Sequence, residues 1–279
     1  MYRILSKKIL TPLVSMIEID APEVTRHAKP GQFVMLRCEE DGERLPFTLA
    51  NIDRENGTIS IIFQVVGAST FRLNQLMPGD SLVDLVGPLG NPSKLDGLDK
   101  VILIGGGLGC AILYPLVKEL ALGKKTVSTI IGFRTREYVF MDQEFSDISD
   151  RFQLVTEDGS AGEKGLVTDV LAKWLDPKEP IDAVYAIGPL PMMKAVANLT
   201  RPLGIKTIVS MNPIMVDGTG MCGGCRLKVG GKVKFACVDG PEFDGHDVDF
   251  DEVIIRNKMY ADTEKKQYDH VCRLKRNRP

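Results

Sequence analysis

Residues 101–111 read VILIGGGLGCA and join an apolar strand to a helix through a glycine-rich turn. The strand is Val101–Ile104, and a helical pattern runs over Ala111–Leu122. Glycines in such a turn let the backbone approach a pyrophosphate, and the helix N-terminus supplies oriented N–H donors. A closely packed turn without a ligand would have the same composition. The predicted dinucleotide contacts in this turn are Gly106, Gly107, Leu108 and Gly109.

Strand and helix patterns alternate through the middle of the chain. Four more short apolar strands follow, at Thr126–Gly132, Phe152–Thr156, Ala183–Ile187 and Thr207–Met211. Helical patterns such as Leu166–Trp174 and Met192–Leu203 lie between them. This alternation predicts a parallel sheet covered on both faces, a Rossmann-like nucleotide-binding α/β domain over residues 98–211. A second turn between strand and helix adds Gly188, Pro189 and Met192 to the predicted dinucleotide contacts.

The residues that would contact the ribose of the dinucleotide do not distinguish NAD from NADP. A 2′-phosphate favours arginine, and Arg134 and Arg136 follow the second strand of this domain. A free 2′-hydroxyl favours an acidic residue, and Glu157 or Asp158 follows the next strand. A solvated turn would explain the two arginines equally well.

Residues 1–97 show the two-residue alternation of β-strands. It is clearest over Leu13–Ile19 and Thr58–Val66, and further short strands are expected near 32–38, 46–52 and 81–87. One short helix is expected at Ala68–Leu76. Several short strands separated by Pro-Gly and Gly-rich turns predict a small β barrel.

A flavin site is indicated by residues 43–49, which read ERLPFTL. Arginine can hold a phosphate with two hydrogen bonds, and a threonine hydroxyl can bind a flavin edge. Gly67 to Thr70 open the short helix and offer backbone N–H groups to a second phosphate. An exposed arginine before an edge strand is the alternative interpretation of Arg44. The predicted flavin contacts are Arg44, Pro46, Phe47, Thr48, Leu49, Gly67, Ala68, Ser69 and Thr70.

Cysteines cluster in residues 212–250. Residues 217–225 read DGTGMCGGC, and eleven further residues separate Cys225 from Cys237. Two cysteines two residues apart can hold one metal centre, and the glycines let backbone N–H groups reach sulfur. The predicted ligands are Asp217, Cys222, Cys225 and Cys237, with Asp239 and His246 as rivals for the fourth position. The spacing favours a [2Fe–2S] cluster, while a structural zinc site and unliganded thiols remain open.

Composition excludes two classes of protein. The 279 residues contain 35 Lys and Arg against 37 Asp and Glu, with 44% apolar and 26% charged residues. A globally basic nucleic-acid binder and a disordered polyelectrolyte are both ruled out by this balance. We find no signal peptide and no membrane segment, and clustered cysteines without a secretion signal favour a reducing compartment. A cytoplasmic protein is therefore expected.

The order of these features resembles the ferredoxin-NADP reductase superfamily, in the branch of the dihydroorotate dehydrogenase electron-transfer subunit. The resemblance rests on residues 44–48 (RLPFT), the Gly-rich domain, residues 188–193 (GPLPMM) and the C-terminal cysteine loop. It implies that the barrel binds FAD, that the α/β domain binds NAD(P)H, and that the last loop holds a [2Fe–2S] cluster. Thr48 would then lie near flavin N5 and tune its chemistry.

Three departures refine this resemblance. Asp217 replaces the first of four cysteines, and Ile187 replaces the cysteine usual before Gly-Pro. With aspartate at this position, the sequence resembles the small subunits of electron-bifurcating NADH-dependent reduced ferredoxin:NADP oxidoreductases and sulfide dehydrogenases. This resemblance implies NAD(H) as the nucleotide. Leu45 separates Arg44 from Pro46, whereas the family's arginine usually precedes the proline directly.

The same resemblance implies a partner. No [4Fe–4S] cysteine pattern and no second flavin domain occur in this sequence, so a large flavin/[4Fe–4S] subunit is expected to form a heterodimer with it and to bind ferredoxin. The acidic stretch Asp239–Glu252 and the C-terminal extension at residues 251–279 are candidate docking surfaces. The competing interpretations are a dihydroorotate dehydrogenase electron-transfer subunit and a non-catalytic nucleotide-binding module stabilised by zinc.

Overall fold

The N-terminal part of the chain forms a nearly closed antiparallel barrel. The computed structural model describes residues 2–176 and 178–276. The barrel strands are β1 Tyr2–Thr11, β2 Val14–Asp20, β3 Phe33–Arg37, β4 Leu45–Asp53, β5 Thr58–Gln64, β6 Ser81–Leu82 and β7 Asp84–Leu89. They are ordered β6-β1-β2-β5-β4-β3-β7, and two short helices connect them, α1 Pro22–His27 and α2 Ala68–Leu73.

The middle of the chain forms a parallel sheet between helices. Its strands are β8 Lys100–Gly106, β9 Thr126–Phe133, β10 Arg151–Thr156, β11 Glu163–Lys164, β12 Ala183–Ile187 and β13 Thr207–Ser210. Its helices are α3 Gly109–Leu122, α4 Asp142–Ile148, α5 Val167–Trp174 and α6 Leu190–Thr200, with 3-10 turns at Arg136–Tyr138 and Arg201–Leu203. The order is β11-β10-β9-β8-β12-β13, so helices cover both faces.

The C-terminal part packs against both the parallel sheet and the barrel. It contains the hairpin β14 Arg226–Val229 and β15 Lys232–Phe235, then α7 Ala236–Asp239, β16 Glu242–Asp244, α8 Phe250–Asn257 and α9 Ala261–Arg276. Strand β16 extends the parallel sheet by pairing antiparallel with β13. Helix α9 returns to the barrel, where the ring of Tyr268 meets that of Phe71 on α2 at 6.1 Å between centroids.

Three buried clusters hold the chain together. One fills the barrel, and a second lies under α3 on one face of the parallel sheet. The third covers the opposite face of that sheet and includes residues from all three parts of the chain: Phe33 and Met35 of the barrel, Val184 of the sheet, and Cys225 and Phe250 of the C-terminal part. The cysteine-rich loop is therefore packed into a common core.

The fold class predicted from sequence, a β barrel plus an α/β domain, is confirmed, with several local differences. The predicted strand at 81–87 is two strands separated at Val83, whose N–H donates to Arg37 O. Strand β1 and helices α1 and α4 were not predicted. Strand β1 escapes the alternation rule because only Ile4 and Thr11 of its ten residues are buried. Helix α8 begins at Phe250 and so crosses the start of the extension at residues 251–279, whose last three residues lie outside the described part.

Within the described residues, the helices are too short or too polar to cross a lipid bilayer.

Candidate functional site

The Gly-rich turn follows β8, the strand at which the strand order of the sheet reverses. From β8 the chain goes to β9 on one side, while β12 occupies the other side of β8. The loops that leave the C-terminal ends of β8 and β12 therefore diverge and open a crevice between them. In open α/β sheets, ligands bind in this crevice.

Glycines bring the two walls of this crevice together. A Cβ on Gly109 would lie 2.1 Å from Ile187 O, and a Cβ on Gly106 would lie 2.4 Å from Met192 Sδ. Gly188 also approaches Gly106, since a Cβ on Gly188 would lie 3.0 Å from Gly106 Cα. Gly107 has a φ of +53° and nothing within 4 Å of its Cβ position, so this part of the turn faces open space. The structure thus joins the two predicted dinucleotide turns into one crevice.

The candidate ribose-reading residues occupy neighbouring loops after β9 and β10. Arg134 and Asp158 are both exposed, and the backbone N–H of Asp158 donates to Arg134 O at 3.4 Å. The Asp158 carboxylate accepts the side-chain and backbone donors of Ser160 at 2.6 and 3.0 Å, which lowers the pKa of this aspartate. A cleft of about 390 Å³ adjoins these loops and is lined partly by Arg136, Asp142 and Gly162. The arginine after β9 and the acidic residues after β10 lie in neighbouring loops, so the structure favours neither NAD nor NADP.

Strand β4 divides the predicted flavin residues between two faces. Side chains alternate along a strand, so Pro46 and Thr48 share one face while Phe47 and Leu49 share the other. Phe47 packs on Phe63 at 5.9 Å between ring centroids, and Leu49 is fully buried in the barrel. Only Pro46 and half-buried Thr48 therefore present side chains outside the barrel.

The remaining flavin candidates already have partners. Arg44 is exposed and forms a 3.1 Å ion pair with Asp84. The Thr70 hydroxyl accepts the N–H of Gly67 at 3.0 Å, and the Ser69 hydroxyl donates to the Glu43 carboxylate at 2.7 Å. Gly67 has nothing within 4 Å of its Cβ position, and Ala68 is half-buried beside it. An anion at this turn would meet the Ala68 backbone first, because the Gly67 N–H already donates to Thr70, and Glu43 would oppose it.

The three loop cysteines are only partly assembled. Cys225 and Cys237 are buried with their sulfurs 3.2 Å apart, and the Cys237 N–H points to Cys225 Sγ at 3.4 Å. Burial and the neighbouring Cys225 raise the pKa of the Cys237 thiol. A cation would relieve this cost by stabilising the thiolate, so the donor set suits a metal centre. Within the described residues, however, no three His, Cys, Asp or Glu side chains converge as a preformed metal cage.

Asp217 is joined to the exposed Cys222 through the backbone. Its carboxylate accepts N–H groups of Thr219 and Cys222, both at 2.8 Å, and these hydrogen bonds lower its pKa. The carboxylate is therefore held in its anionic form beside the cysteines, as a ligand requires. Each oxygen retains a lone pair for a metal.

Both rivals for the fourth ligand are engaged elsewhere. His246 Nε2 lies 3.0 Å from the Thr200 hydroxyl on α6, away from the cysteine turn. Asp239 accepts the N–H of Phe235 at 2.7 Å and lies 3.4 Å from Lys234 Nζ. Asp217 is the candidate of these three whose carboxylate is hydrogen-bonded to a predicted cysteine ligand, through the Cys222 N–H, and this contact favours it.

The cysteine loop lies against the strand pair that carries Thr48. A Cβ on Gly218 would lie 2.6 Å from Met35 Cγ and 3.1 Å from Leu89 Cδ1. Met35 is paired with Pro46 across β3 and β4, and Phe33 is paired with Thr48. Cross-strand partners share a face of the sheet. The outer face of Pro46 and Thr48 is thus the face on which the cysteine loop packs.

A buried carboxyl group lies where the three parts of the chain meet. Glu242 Oε1 accepts a 2.5 Å hydrogen bond from the Ser93 hydroxyl, and Ser93 in turn contacts Gly31 at the start of the barrel strand β3. Burial raises the pKa of Glu242 to about 7, and Glu242 in turn contributes to the raised pKa of Tyr185. Sequence reasoning did not identify Glu242, because it lies in an acidic stretch typical of a solvated surface.

Comparison with known proteins agrees with this arrangement. Residues 212–249 match the iron-sulfur cluster binding domain of dihydroorotate dehydrogenase B. A Thermotoga maritima homologue of the electron-transfer subunit of dihydroorotate dehydrogenase B (NAD(+)) is 48% identical over 255 residues, covering 91% of this chain and 90% of that protein. The corresponding subunit of Desulforamulus reducens is 34% identical over 250 residues, covering 86% and 94%. The chain belongs to the dihydroorotate dehydrogenase B electron-transfer subunit family.

A solved structure gives a second link for this family member. One chain of the NADH-dependent reduced ferredoxin-NADP oxidoreductase, studied for flavin-based electron bifurcation, superposes with a TM-score of 0.91. It is 44% identical, and the match covers 97% of each chain. The predicted family and fold are therefore confirmed, including the C-terminal iron–sulfur domain. An oxidoreductase-type electron-transfer subunit is the function that this membership supports, and the [2Fe–2S] type and the individual site residues stay predictions.

Sequence reasoning missed the residues that join the sites. Met35, Leu89 and Ser93 carry no chemical motif, and they acquire their place only when distant segments pack together. Gly218 gave a partial signal, since a glycine beside a predicted ligand often marks a close approach of backbone.

Proposed function

We propose that the chain exchanges hydride with NAD(H) at FAD and passes single electrons through a [2Fe–2S] cluster to or from a partner flavoprotein. This is the role of a subunit in an electron-bifurcating NADH-dependent reduced ferredoxin:NADP oxidoreductase. The observation that carries the proposal is the packing of Gly218 on Met35, because it sets the cysteine loop on the face of Pro46 and Thr48. Such proximity is what electron transfer between two centres in one chain requires.

FAD would bind outside the barrel along β4. The backbone of β4 and the side chains of Pro46 and Thr48 would contact the isoalloxazine, with the Thr48 hydroxyl within reach of N5. Phe47 and Leu49 would support this strand from the barrel interior. The Gly67–Thr70 turn would hold phosphate through the Ala68 backbone, with Gly67 leaving room for its approach, and Arg44 would contribute once released from Asp84.

NAD(H) would bind in the crevice between β8 and β12. Gly106, Gly107, Leu108 and Gly109 would face the pyrophosphate, while Gly188, Pro189 and Met192 would form the opposite wall. Arg134 or the pair Glu157 and Asp158 would read the ribose. Bound FAD supplies the two-electron to one-electron conversion, and the protein supplies orientation and electrostatics.

The cluster would be held by Asp217, Cys222, Cys225 and Cys237. Cys225 and Cys237 already adjoin each other, and Asp217 and Cys222 are linked through one hydrogen bond. A small closing movement of the exposed turn at Cys222 would complete the set. The partner is proposed to be a large flavin/[4Fe–4S] subunit, forming a cytoplasmic heterodimer in which the partner binds ferredoxin.

The first test is cofactor content. The full chain is purified anaerobically, and iron, acid-labile sulfide, zinc and released flavin are measured per chain. The proposal expects about two irons, two sulfides and one FAD per chain. Zinc without flavin contradicts it and supports the nucleotide-binding module stabilised by zinc.

A second candidate function is the electron-transfer subunit of a dihydroorotate dehydrogenase. The match of residues 212–249 and the names of the two relatives favour it. Asp217 in place of a cysteine favours the bifurcating enzyme instead. Copurification discriminates between them: the large subunit is either a dihydroorotate-oxidising flavoprotein or a flavin/[4Fe–4S] protein.

A further inference from the structure

The turn between Cys222 and Cys225 has one peptide group hydrogen-bonded at both ends. The N–H of Gly224 donates to Cys222 Sγ at 3.4 Å. The carbonyl of the same peptide, Gly223 O, accepts from Arg226 Nη1 at 3.2 Å. A donor on the carbonyl polarises the peptide and strengthens the hydrogen bond that its N–H makes. Arg226 thus acts on the sulfur of Cys222 through this peptide.

A second guanidinium reaches the same turn from α8. Arg256 Nη2 donates to Gly224 O at 3.3 Å, and the next residue, Asn257, donates to Asn212 O at 3.2 Å. The helix is anchored by buried Phe250 and Val253 and is capped at its N-terminus by Asp249, whose side chain accepts the N–H of Glu252. Arg256 is half-buried, so a rigid element holds its charge over the turn.

Neither positive charge is neutralised locally. Among residues 2–176 and 178–270, no carboxylate lies within ion-pair distance of Arg226 or Arg256. The neighbouring lysines differ, since Lys228 lies 3.3 Å from Glu252 and Lys234 lies 3.4 Å from Asp239. Each guanidinium group therefore contributes positive charge next to the Cys222–Cys225 turn.

We propose that Arg226 and Arg256 are positioning residues that raise the reduction potential of the cluster. The inference rests on the proposed function, because it needs a redox cluster on this turn. Reduction adds negative charge, which nearby cations and N–H···S hydrogen bonds stabilise. Arg256 has the larger effect because it is less exposed, whereas exposed Arg226 is screened by water and salt.

The test is a redox titration of the cluster, followed by visible absorption and EPR, in the full chain with FAD bound. Arg256→Met removes the charge and keeps an apolar stem. At a solution potential equal to the wild-type midpoint, we expect the ratio of reduced to oxidised cluster in Arg256→Met to fall about threefold to tenfold. This fall is equivalent to a lowering of the reduction potential by about 28–59 mV for one electron. Arg226→Met gives a smaller shift that shrinks at high salt.

Two variants separate charge from other effects. Arg256→Lys keeps the charge and holds the potential near the wild-type value. Lys258→Met removes a positive charge from an exposed position just after α8, where no hydrogen bond reaches the turn, and leaves the potential unchanged. Iron content and the thermal midpoint are measured alongside, because a merely structural role moves these and not the potential.

An unchanged potential in Arg256→Met at full iron content overturns the inference and leaves the proposed function intact. If Arg256→Met loses its iron, Arg256→His decides instead. Its charge appears as pH falls from about 8 to about 6, so its potential rises more steeply over that range than the wild-type potential. Parallel pH profiles overturn the inference. A wild-type chain without iron and sulfide overturns the proposed function itself.

Discussion

The Ser93 hydroxyl donates a 2.5 Å hydrogen bond to Glu242 Oε1, at the junction of the barrel, the parallel sheet and the cysteine-rich part. Ser93 belongs to the connection between β7 and β8, and Glu242 begins β16. Burial raises the pKa of this carboxyl group from 4.5 to about 7. The folded chain therefore holds a proton on Glu242 that the unfolded chain releases at a lower pH.

The first prediction concerns the pH dependence of stability. Because the folded pKa of Glu242 is raised, the native state loses stability relative to the unfolded chain as pH rises from about 4.5 to about 7. Glu242→Gln stays neutral and still accepts the Ser93 hydrogen bond. We expect its free energy of unfolding, relative to wild type, to increase by about 3 kcal/mol between about pH 4.5 and pH 8. Denaturant unfolding at both pH values measures this difference. Glu137→Gln, at an exposed position, is the control, and parallel curves for wild type and Glu242→Gln would sink the prediction.

The second prediction concerns the contact between the cysteine loop and β3. Gly218→Ala places a Cβ 2.6 Å from Met35 Cγ, at a φ of +77°. We expect the loop to move off the barrel, with a cost of about 1–3 kcal/mol and slower electron transfer between FAD and the cluster. Stopped-flow reduction with NADH separates flavin reduction from cluster reduction. Gly230→Ala controls for backbone strain, since it has a φ of +57° and no atom closer than 3.8 Å to its Cβ position. Equal electron-transfer rates in the two variants would refute a role for the contact.

The third prediction concerns the fourth cluster ligand. Asp217→Cys is expected to keep a cluster with an altered reduction potential, because sulfur replaces oxygen in the donor set. Asp217→Ala is expected to lose or destabilise the cluster. Iron content and EPR spectra measure both effects, with Asp239→Ala as the control. If neither Asp217 variant changes spectrum or potential, the fourth ligand lies elsewhere.

The fourth prediction concerns the dinucleotide crevice. Gly109→Ala would place a Cβ 2.1 Å from Ile187 O, and a backbone atom cannot swing aside as a side chain can. The two turns must separate, so we expect the apparent Kd for NADH to rise at least about tenfold while FAD content is kept. Flavin reduction rates at increasing NADH concentration report this Kd. Gly123→Ala, at the far end of α3, should leave it unchanged. An unaltered Kd in Gly109→Ala would move the NADH site out of this crevice.

How far the sequence predicts this molecule depends on how local each signal is. Val101–Ile104, the glycine turn and the helix after it form one continuous pattern, so the crevice was predictable from adjacent residues. The motif also predicts Thr48 as a flavin contact, which stays a prediction. The alternation that buries Phe47 and Leu49 follows from strand register rather than from the motif.

Contacts between distant segments were not predictable in the same way. Met35 and Gly218 meet only because three parts of the chain share one buried cluster. Glu242 lies in an acidic stretch, yet its pairing through β16 with β13 removes it from water. Arg226 and Arg256 are ordinary charged residues in the sequence, and only the fold brings both to one turn.

The most direct measurement of the central claim is an anaerobic titration of the purified chain with NADH, followed by visible absorption and low-temperature EPR. If electrons pass from NADH through FAD to a cluster in the same chain, the flavin absorption bleaches first. The EPR signal of a reduced [2Fe–2S] cluster then appears. That signal should be delayed in Gly218→Ala. Flavin bleaching in a chain that holds its full iron and sulfide, without any cluster signal during the titration or on further reduction with dithionite, would contradict the account.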